Sequence, residues 1–226
     1  MTASTTARAI AREQLTRSIL HSARAQLGTV GPAALSVRAV ARNVGMVSSA
    51  VYRYFPSRDD LLTELLVICY SELADKVEAA EAAVANRSDR RGRWRAIASA
   101  CHRWAAAHPY DYALLYGSPV PGYAAPRRTV EPAARVPRLV LALVGPSETA
   151  ASSEPGAGTV DDRLHDALAG IREFVGADLG DEPTMRALRA WSGLIGAISL
   201  ERFGHLANAL DGDVWFAALV DRLAPA

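Results

Sequence analysis

The stretch that decides the fold is residues 35–61, LSVRAVARNVGMVSSAVYRYFPSRDDL. Ser36 is a capping residue type ahead of a helix predicted over residues 37–44, and Gly45 allows the positive φ angle that a tight turn needs. A second short helix is predicted over residues 48–54, and Pro56 ends it. Two short helices joined by such a turn predict a helix-turn-helix. The apolar residues whose spacing can join both helices in one core are Leu35, Val40, Val44, Val51 and Phe55.

Helical periodicity also dominates outside this stretch, and no run shows the alternation typical of strands. A long helix is predicted after Ser57, because Asp59 and Asp60 suit the positive end of a helix dipole. The other predicted helices cover residues 7–27, 94–107, 127–144 (with Pro132 and Pro137 kinking or interrupting it), 183–208 and 213–223, and residues 145–159 are predicted to form a loop. The predicted fold class is all-α, with a small N-terminal domain over residues 1–58, a connecting helix over residues 57–85 and a larger helical domain over residues 86–226.

Charge is divided unevenly along the chain, although the whole carries 25 basic and 24 acidic residues. Residues 1–58 hold eight arginines and one acid, Glu13, for a net charge of +7, and the remaining residues carry −6. A basic end on a mildly acidic body is expected where that end meets a polyanion. Arg8 and Arg12 either reach the DNA backbone or are charges of an N-terminal tail, and the tail interpretation is slightly preferred.

The second short helix carries side chains that suit the major groove of DNA. Ser48, Ser49 and Ala50 are small, so the backbone can approach the floor of the groove closely. Arg53 can bind a guanine edge through two hydrogen bonds. The residues that can donate to phosphates, and so fix the register on the duplex, are Tyr52, Tyr54 and Arg58.

This stretch resembles the DNA-binding head of the TetR family of bacterial transcription regulators. The matching residues are Leu35-Ser36, Val40-Ala41, Gly45-Met46-Val47, Val51-Tyr52-Arg53-Tyr54-Phe55, Ser57-Arg58 and Leu61. The resemblance implies that Arg38, on the first helix, can contact a base. It also implies that the groove-facing positions are Ser48, Ser49, Ala50 and Arg53, with Tyr52, Tyr54 and Arg58 as the phosphate anchors.

Two residues depart from the family pattern. Val47 stands where the family often has a helix-capping Ser, so Ser48 is expected to cap the helix in its place. Arg58 replaces the usual Lys, which keeps the positive charge and adds a forked geometry.

The remainder is similar to the TetR subgroup with a WHG-type C-terminal ligand-binding domain, on residues 94–95, 104, 108–109, 114–123, 126, 191–201 and 204–205. Where that subgroup usually has a His before Gly196, this chain has Ile195, which makes the pocket or dimer seam there more apolar. The candidate lining of a ligand pocket is Trp104, Tyr110, Tyr112, Tyr116 and Tyr123, with packing in the core as the alternative for each. The resemblance implies a dimer seam on the last two helices, with the candidates Trp191, Ile195, Ile198, Phe203, Trp215 and Leu219, for which core packing is again the alternative.

Residue spacing and the motifs that are missing exclude several classes of protein. Cys101 and His102 are adjacent, so on a helix they do not face each other as a nucleophilic pair. The five histidines show no metal-ligand spacing, and no phosphate-binding loop or nucleophile elbow occurs. We therefore expect no catalytic residue, no metal and no cofactor. The lack of a signal-peptide pattern, a long apolar run or a paired cysteine framework predicts a cytoplasmic protein with no membrane partner.

The combined prediction is a homodimeric transcriptional regulator, most often a repressor in this family, that binds an operator in double-stranded DNA and responds to a small-molecule effector. One alternative is an activator, or a regulator without a ligand. The other is a helical binding protein that has lost DNA recognition, and the uneven charge argues against it.

Overall fold

The structure, a computed structural model, describes residues 7–144, 162–176, 179–207 and 209–225. Throughout these ranges the regular elements are helices, so the all-α prediction is confirmed. The first four are α1 (Ala7–Val30), α2 (Val37–Asn43), α3 (Ser48–Val51) and α4 (Arg58–Ala82). The others are α5 (Arg90–Ala107), α6 (Pro109–Tyr116), α7 (Val130–Leu143), α8 (Asp162–Val175), α9 (Asp181–Arg202) and α10 (Gly212–Leu223), with short 3-10 turns at Pro32–Ala34 and Arg127–Thr129.

The chain folds into two compact units whose limits differ from the predicted domain limits. The N-terminal unit combines the chain up to residue 70 with residues 108–129, and the C-terminal unit combines residues 71–107 with the chain from residue 130. The helix α4 runs from the first unit into the second. Residues 108–129 belong to the N-terminal unit and not to the larger domain predicted for residues 86–226, because α6 packs on α1. This contact joins distant parts of the chain, so no local pattern shows it.

The core of the N-terminal unit joins α1, α2, α3 and the start of α4. Ile19, Val40, Val51 and Leu61 are fully buried there. The predicted core is confirmed, since four of its five residues are buried and Val44 packs against them half-buried. Residues 108–129, which we call the returning segment, also pack against this core through Leu114, Val120 and Tyr123.

An ion pair fastens the returning segment to α1. Arg24 donates from Nε to Oδ1 of Asp111 at 3.0 Å and from Nη2 to Oδ2 at 2.7 Å. The Asp111 side chain is only 8% exposed, so this two-pronged contact replaces the water that the carboxylate loses. Beside it, the Tyr110 ring lies so close to Gly28 that a Cβ atom on that glycine would be 3.0 Å from the ring.

The C-terminal unit is built from α5, α7, α8, α9 and α10 with the last turns of α4. Trp94 on α5 is fully buried and donates its indole N–H to the carbonyl of Val220 at 2.8 Å. Glu81, near the end of α4, is buried and accepts hydrogen bonds of 2.5 Å from both Arg87 and Arg93. Burial alone would raise the pKa of Glu81, but the hydrogen bonds and charges of Arg93 and Arg87 hold this pKa below its usual value.

The periodicity of the sequence misplaces some elements. It missed α6, which starts at Pro109 and is too short for a repeat to show, and it missed α8. Of the two effects predicted for Pro132 and Pro137, a kink or an interruption, the interruption does not occur, because α7 continues through both prolines. The predicted loop at residues 145–159 lies outside the described residues.

Candidate nucleic-acid interface

The start of α2 is fixed by two side chains. Ser36 is its N-cap, as predicted, and the Ser36 hydroxyl accepts a hydrogen bond from the Ala39 N–H at 3.4 Å. The buried side chain of Gln26 on α1 binds both backbone groups of Ser36, accepting from its N–H at 3.1 Å and donating to its carbonyl at 3.4 Å. Gln26 therefore anchors α2 to α1, a role that nothing in its local sequence indicates.

The turn between α2 and α3 depends on Gly45. This residue has a φ of 68°, in the left-handed region that favours glycine, as the sequence predicts. The turn is closed by hydrogen bonds from the Met46 N–H to the Ala41 carbonyl at 2.8 Å and from the Gly45 N–H to the Arg42 carbonyl at 3.2 Å. A Cβ at Gly45 would meet nothing within 4 Å, so the backbone angle alone requires the glycine.

The recognition helix α3 is shorter than predicted and begins with an unusual cap. Its regular part is Ser48–Val51, and one further turn follows, closed by a hydrogen bond of 3.0 Å from the Phe55 N–H to the Val51 carbonyl. The N-cap residue is Val47, with no capping hydrogen bond from a side chain. The prediction that Ser48 caps the helix is therefore wrong, because Ser48 is already its first helical residue.

The residues predicted to contact DNA differ in exposure. Arg38, Ser49, Tyr52 and Arg53 are exposed, and Ser48, Ala50, Tyr54 and Arg58 are partly buried. Tyr52 is 43% exposed, so much of the residue is accessible to a ligand. Together α2 and α3 present guanidinium, hydroxyl and small side chains, which is the mixture that phosphate and base-edge contacts require.

Arg12 has a position in the structure that the tail interpretation missed. It lies within α1, and its guanidinium carbon is 5.0 Å from the centre of the Tyr54 ring. This cation–π contact holds one face of Tyr54 and keeps a positive charge next to it. Interpreting Arg12 as part of a tail was therefore wrong, and it extends the basic surface at the recognition helix.

Arg58 makes a set of internal contacts at the first residue of α4. Its Nε donates to the Leu35 carbonyl at 3.1 Å, and Nη2 donates to the carbonyls of Pro32 and Ala33 at 2.9 Å each. These carbonyls belong to the turn that leads into α2. Arg58 therefore ties α4 to the start of the helix-turn-helix, which adds a structural role to the predicted phosphate contact.

The tyrosines predicted to line a ligand pocket lie in the N-terminal unit, and Trp104 lies in the C-terminal unit. Tyr112 is buried, with its ring 5.1 Å from that of Tyr116, which in turn meets Tyr70 edge-on at 6.2 Å. Tyr123 shares a hydrogen bond of 2.8 Å with Thr63. These contacts bind the returning segment to α4, which is the core alternative that the sequence left open.

An apolar cavity is present in the C-terminal unit instead. It has a volume of about 90 Å³ and opens between α7, α8 and α9. Its lining contains no charged residue and consists of Pro137, Val140, Leu141, Ile171, Phe174, Val175, Ala187, Leu188 and Trp191. Next to it, Arg138 donates from Nε to the carbonyl of Val175 at 2.7 Å and so joins α7 to the end of α8.

The residues predicted for a dimer seam are divided between the core and the surface. Ile198 is fully buried within its own unit, so its assignment to a seam was wrong. Trp191 lines the cavity, and Ile195, Trp215 and Leu219 are half-buried. Phe203 is 44% exposed. Two other apolar residues of the last two helices are also exposed, Leu200 at 43% and Val214 at 67%.

The candidate nucleophile that the sequence excluded is inert in the structure. Burial raises the pKa of the Cys101 thiol to about 12, so the thiol stays protonated at neutral pH. His102 points elsewhere, since its Nε2 lies 2.6 Å from Oε2 of Glu201 and its ring stacks on Phe216 at 4.1 Å. In the part of the chain that the structure describes, no cluster of His, Cys, Asp or Glu could hold a metal ion.

These features define a class of protein, a helical DNA-binding regulator with its helix-turn-helix in the N-terminal unit. Residues 19–65 match the family described as "Bacterial regulatory proteins, tetR family". Residues 94–223 match the family described as "Tetracyclin repressor-like, C-terminal domain". The chain therefore belongs to the TetR family of transcriptional regulators, and it is not an enzyme.

Curated relatives and solved structures agree with this family. HTH-type transcriptional regulator Rv1816 of Mycobacterium tuberculosis is 45% identical over 209 residues, covering 86% of this chain and 83% of that protein. HTH-type transcriptional regulator Mb1846 of Mycobacterium bovis gives the same values. The crystal structure of the regulatory protein SCO4313 is similar with a TM-score of 0.78 and 32% identity, covering 98% of this chain and 100% of that one. The TetR family regulator PfmR of Thermus thermophilus shares the fold at a TM-score of 0.57 and 17% identity, covering 91% and 96% of the two chains.

Among the described helices, none is long and apolar enough to cross a membrane.

Proposed function

We propose that this regulator is a homodimeric repressor that a small, uncharged, apolar molecule releases from its operator. The observation that carries the proposal is the cavity between α7, α8 and α9. It lies in the C-terminal unit, whereas the basic helix-turn-helix lies in the N-terminal unit. A helix-turn-helix regulator needs no such cavity for DNA binding. A cavity in the other unit supplies a second site, which is the first requirement of allosteric control.

The lining of the cavity limits the chemistry of the effector. A charged ligand would lose its hydration and find no ionic partner among Val140, Phe174 and Leu188, which costs several kcal/mol or more. An apolar cavity of about 150 Å³ in another protein stays dry and binds benzene. At about 90 Å³, this cavity suits a small hydrocarbon, or the end of a longer one.

Release follows from linkage between the two sites. If the effector binds more tightly to a conformation in which the recognition helices fit DNA poorly, it lowers DNA affinity by the same factor. The helix α4 is the element that can carry this coupling, because it begins at Arg58 in the N-terminal unit and ends at Ala82 in the C-terminal unit.

The proposed dimer seam is the exposed face of α9 and α10. Leu200, Phe203 and Val214 lie there with exposed fractions of 43–67%, and burying them is favourable. A dimer would place two recognition helices in successive major grooves, about 34–36 Å apart, on a near-palindromic operator. Replacing Leu200 with Asp should give monomers in analytical ultracentrifugation, whereas Leu210→Asp, at a similarly exposed residue between the helices, serves as the comparison.

The effector site is tested with xenon as the probe, because a xenon atom is apolar and smaller than benzene. Xenon under pressure should raise the melting temperature of the protein and lower its affinity for DNA from its own upstream region. Ala187→Leu fills the cavity and should abolish both effects, while Ala169→Leu, at an exposed position of α8, should keep them. Xenon binding without any change in DNA affinity would contradict release. If deletion of the regulator gene lowers transcription of its neighbours, the protein is an activator.

A further inference from the structure

We propose that Val47 reads the 5-methyl group of a pyrimidine, most directly a thymine, in the major groove of the operator. This proposal rests on DNA binding by the helix-turn-helix and is independent of the effector and of the sign of regulation. It assigns a specificity-determining role to a residue that departs from the pattern of the family.

Val47 is out of place by local physical rules. It is the N-cap of α3, where Ser, Thr, Asp or Asn would accept a hydrogen bond that valine cannot. Its side chain is 69% exposed, the largest value among the large apolar side chains in the described ranges. The missing cap departs from the rule for helix starts, and such departures are expected at functional sites. The exposure of the side chain leaves its methyl groups available for contact.

The position of Val47 is well defined. Its carbonyl accepts hydrogen bonds from the Ala50 N–H at 2.9 Å and the Val51 N–H at 3.4 Å, so the first turn of α3 fixes its backbone. Val51 is fully buried, which ties this turn to the core. Since valine has few rotamers, the two methyl groups of Val47 project from a rigid base.

The groove offers one apolar partner for such a side chain. In helix-turn-helix proteins the N-terminal residues of the recognition helix contact base edges. Among the four base pairs, only those with thymine present a methyl group in the major groove, and apolar side chains contact it. The small neighbours Ser48 and Ser49 leave room for the close approach that this contact needs.

The test begins with an operator selected from a random duplex library by the purified protein. Each thymine is then replaced in turn by deoxyuridine, which pairs identically and lacks only the 5-methyl group. For the unaltered protein, each half-site should contain one thymine whose single replacement weakens binding about fourfold, the value of one buried methyl group. Val47→Ser should lose this sensitivity at that thymine while keeping the effects of all other replacements.

Three controls make the outcome decisive. Val30→Ser changes another exposed valine, at the end of α1, where the exposed fraction is 52%, and should keep the deoxyuridine effect. Val47→Ile keeps an apolar side chain and should also keep it. Circular dichroism and thermal melting establish that each variant folds, and Val47→Asn, which is polar and suits a helix N-cap, replaces Val47→Ser if the latter does not.

The results separate the sources of the methyl group. If no thymine is sensitive, each cytosine is 5-methylated in turn, and one methylation should raise affinity for the unaltered protein and not for Val47→Ser, which identifies 5-methylcytosine as the source. Identical deoxyuridine and methylation profiles for the unaltered protein and Val47→Ser would overturn the proposal, and DNA binding itself would remain established by the selected operator.

Discussion

Arginine does different work in the two units. In the N-terminal unit Arg24 is paired with Asp111, but Arg38, Arg42 and Arg53 stand exposed on or next to the helix-turn-helix. In the C-terminal unit arginines are matched with carboxylates, as Arg93 is with Glu81 and Arg135 with Glu78 at 2.8 Å. The difference teaches that the count of positive charges indicates little by itself. What matters is whether a carboxylate or carbonyl of the same unit is within reach of each guanidinium.

The largest expected effect is on the stability of the C-terminal unit. Glu81→Gln leaves two arginines without their buried partner and should lower the free energy of unfolding by about 3 kcal/mol at pH 7. Glu131→Gln, which removes an exposed partner of Arg138, should change stability little. Chemical denaturation of both variants measures this, and equal losses would show that burial of the carboxylate is irrelevant.

The Glu81 contribution should also depend on pH. Because the pKa of Glu81 is lowered in the folded protein, its stabilisation is complete above the usual value of 4.5 and disappears as pH falls through the lowered value. The stability difference between the unaltered protein and Glu81→Gln should therefore shrink below about pH 4.5. A difference that stays constant down to pH 3 would contradict the ion pairs as its source.

Arg53→Ala should produce the largest effect on DNA binding with no loss of thermal stability, since the side chain is exposed. We expect a cost of about 1–3 kcal/mol on the operator and relaxed discrimination at one base pair. Fluorescence anisotropy with operator and random duplexes measures both, with Arg17→Ala as the control at another exposed arginine. An equal loss on both duplexes would reduce Arg53 to a nonspecific charge.

Arg58→Ala should lower both the stability of the protein and its affinity for DNA, because Arg58 has a structural role and a predicted phosphate contact. Removing the donors to the carbonyls of Pro32, Ala33 and Leu35 should lower the free energy of unfolding by about 1–2 kcal/mol. Arg58→Lys keeps the charge but lacks the fork, so it should restore little of this stability. The salt dependence of DNA binding tests the predicted phosphate contact, since loss of one contact lowers the slope by about 1.

The smallest expected effect belongs to Tyr52→Phe. If the Tyr52 hydroxyl donates to a phosphate, as the sequence predicts, its removal should weaken binding by about 0.5–1.5 kcal/mol on every sequence alike. The same anisotropy titrations measure it on operator and random duplexes. A loss confined to the operator would indicate that Tyr52 contacts a base.

Much of the N-terminal fold could be predicted because its signals are local. Ser36, Gly45 and the apolar spacing around Val40 and Val51 act within a few residues of one another, and the structure places each as expected. The internal contacts of Arg58 could not be predicted, because its carbonyl partners lie 23–26 residues earlier in the chain.

The C-terminal unit shows the limit of local patterns more clearly. Its cavity is formed by α7, α8 and α9, and the sequence gives no period that places Pro137, Phe174 and Trp191 around one space. The aromatic pattern at residues 104–123 suggested a pocket, but Tyr112, Tyr116 and Tyr123 pack within the N-terminal unit. Aromatic side chains at helical spacing carry the same signal in a core and in a binding site.

The return of residues 108–129 to the N-terminal unit has a consequence for modularity. The helix-turn-helix cannot be cut out or exchanged between relatives as one continuous N-terminal cassette, because the apolar surface covered by Leu114, Val120 and Tyr123 would be exposed and Arg24 would lose Asp111. A functional chimera must carry both pieces from the same parent. In evolution, a change of operator specificity on α3 is therefore free to occur alone, whereas exchange of the whole unit requires two coordinated crossovers.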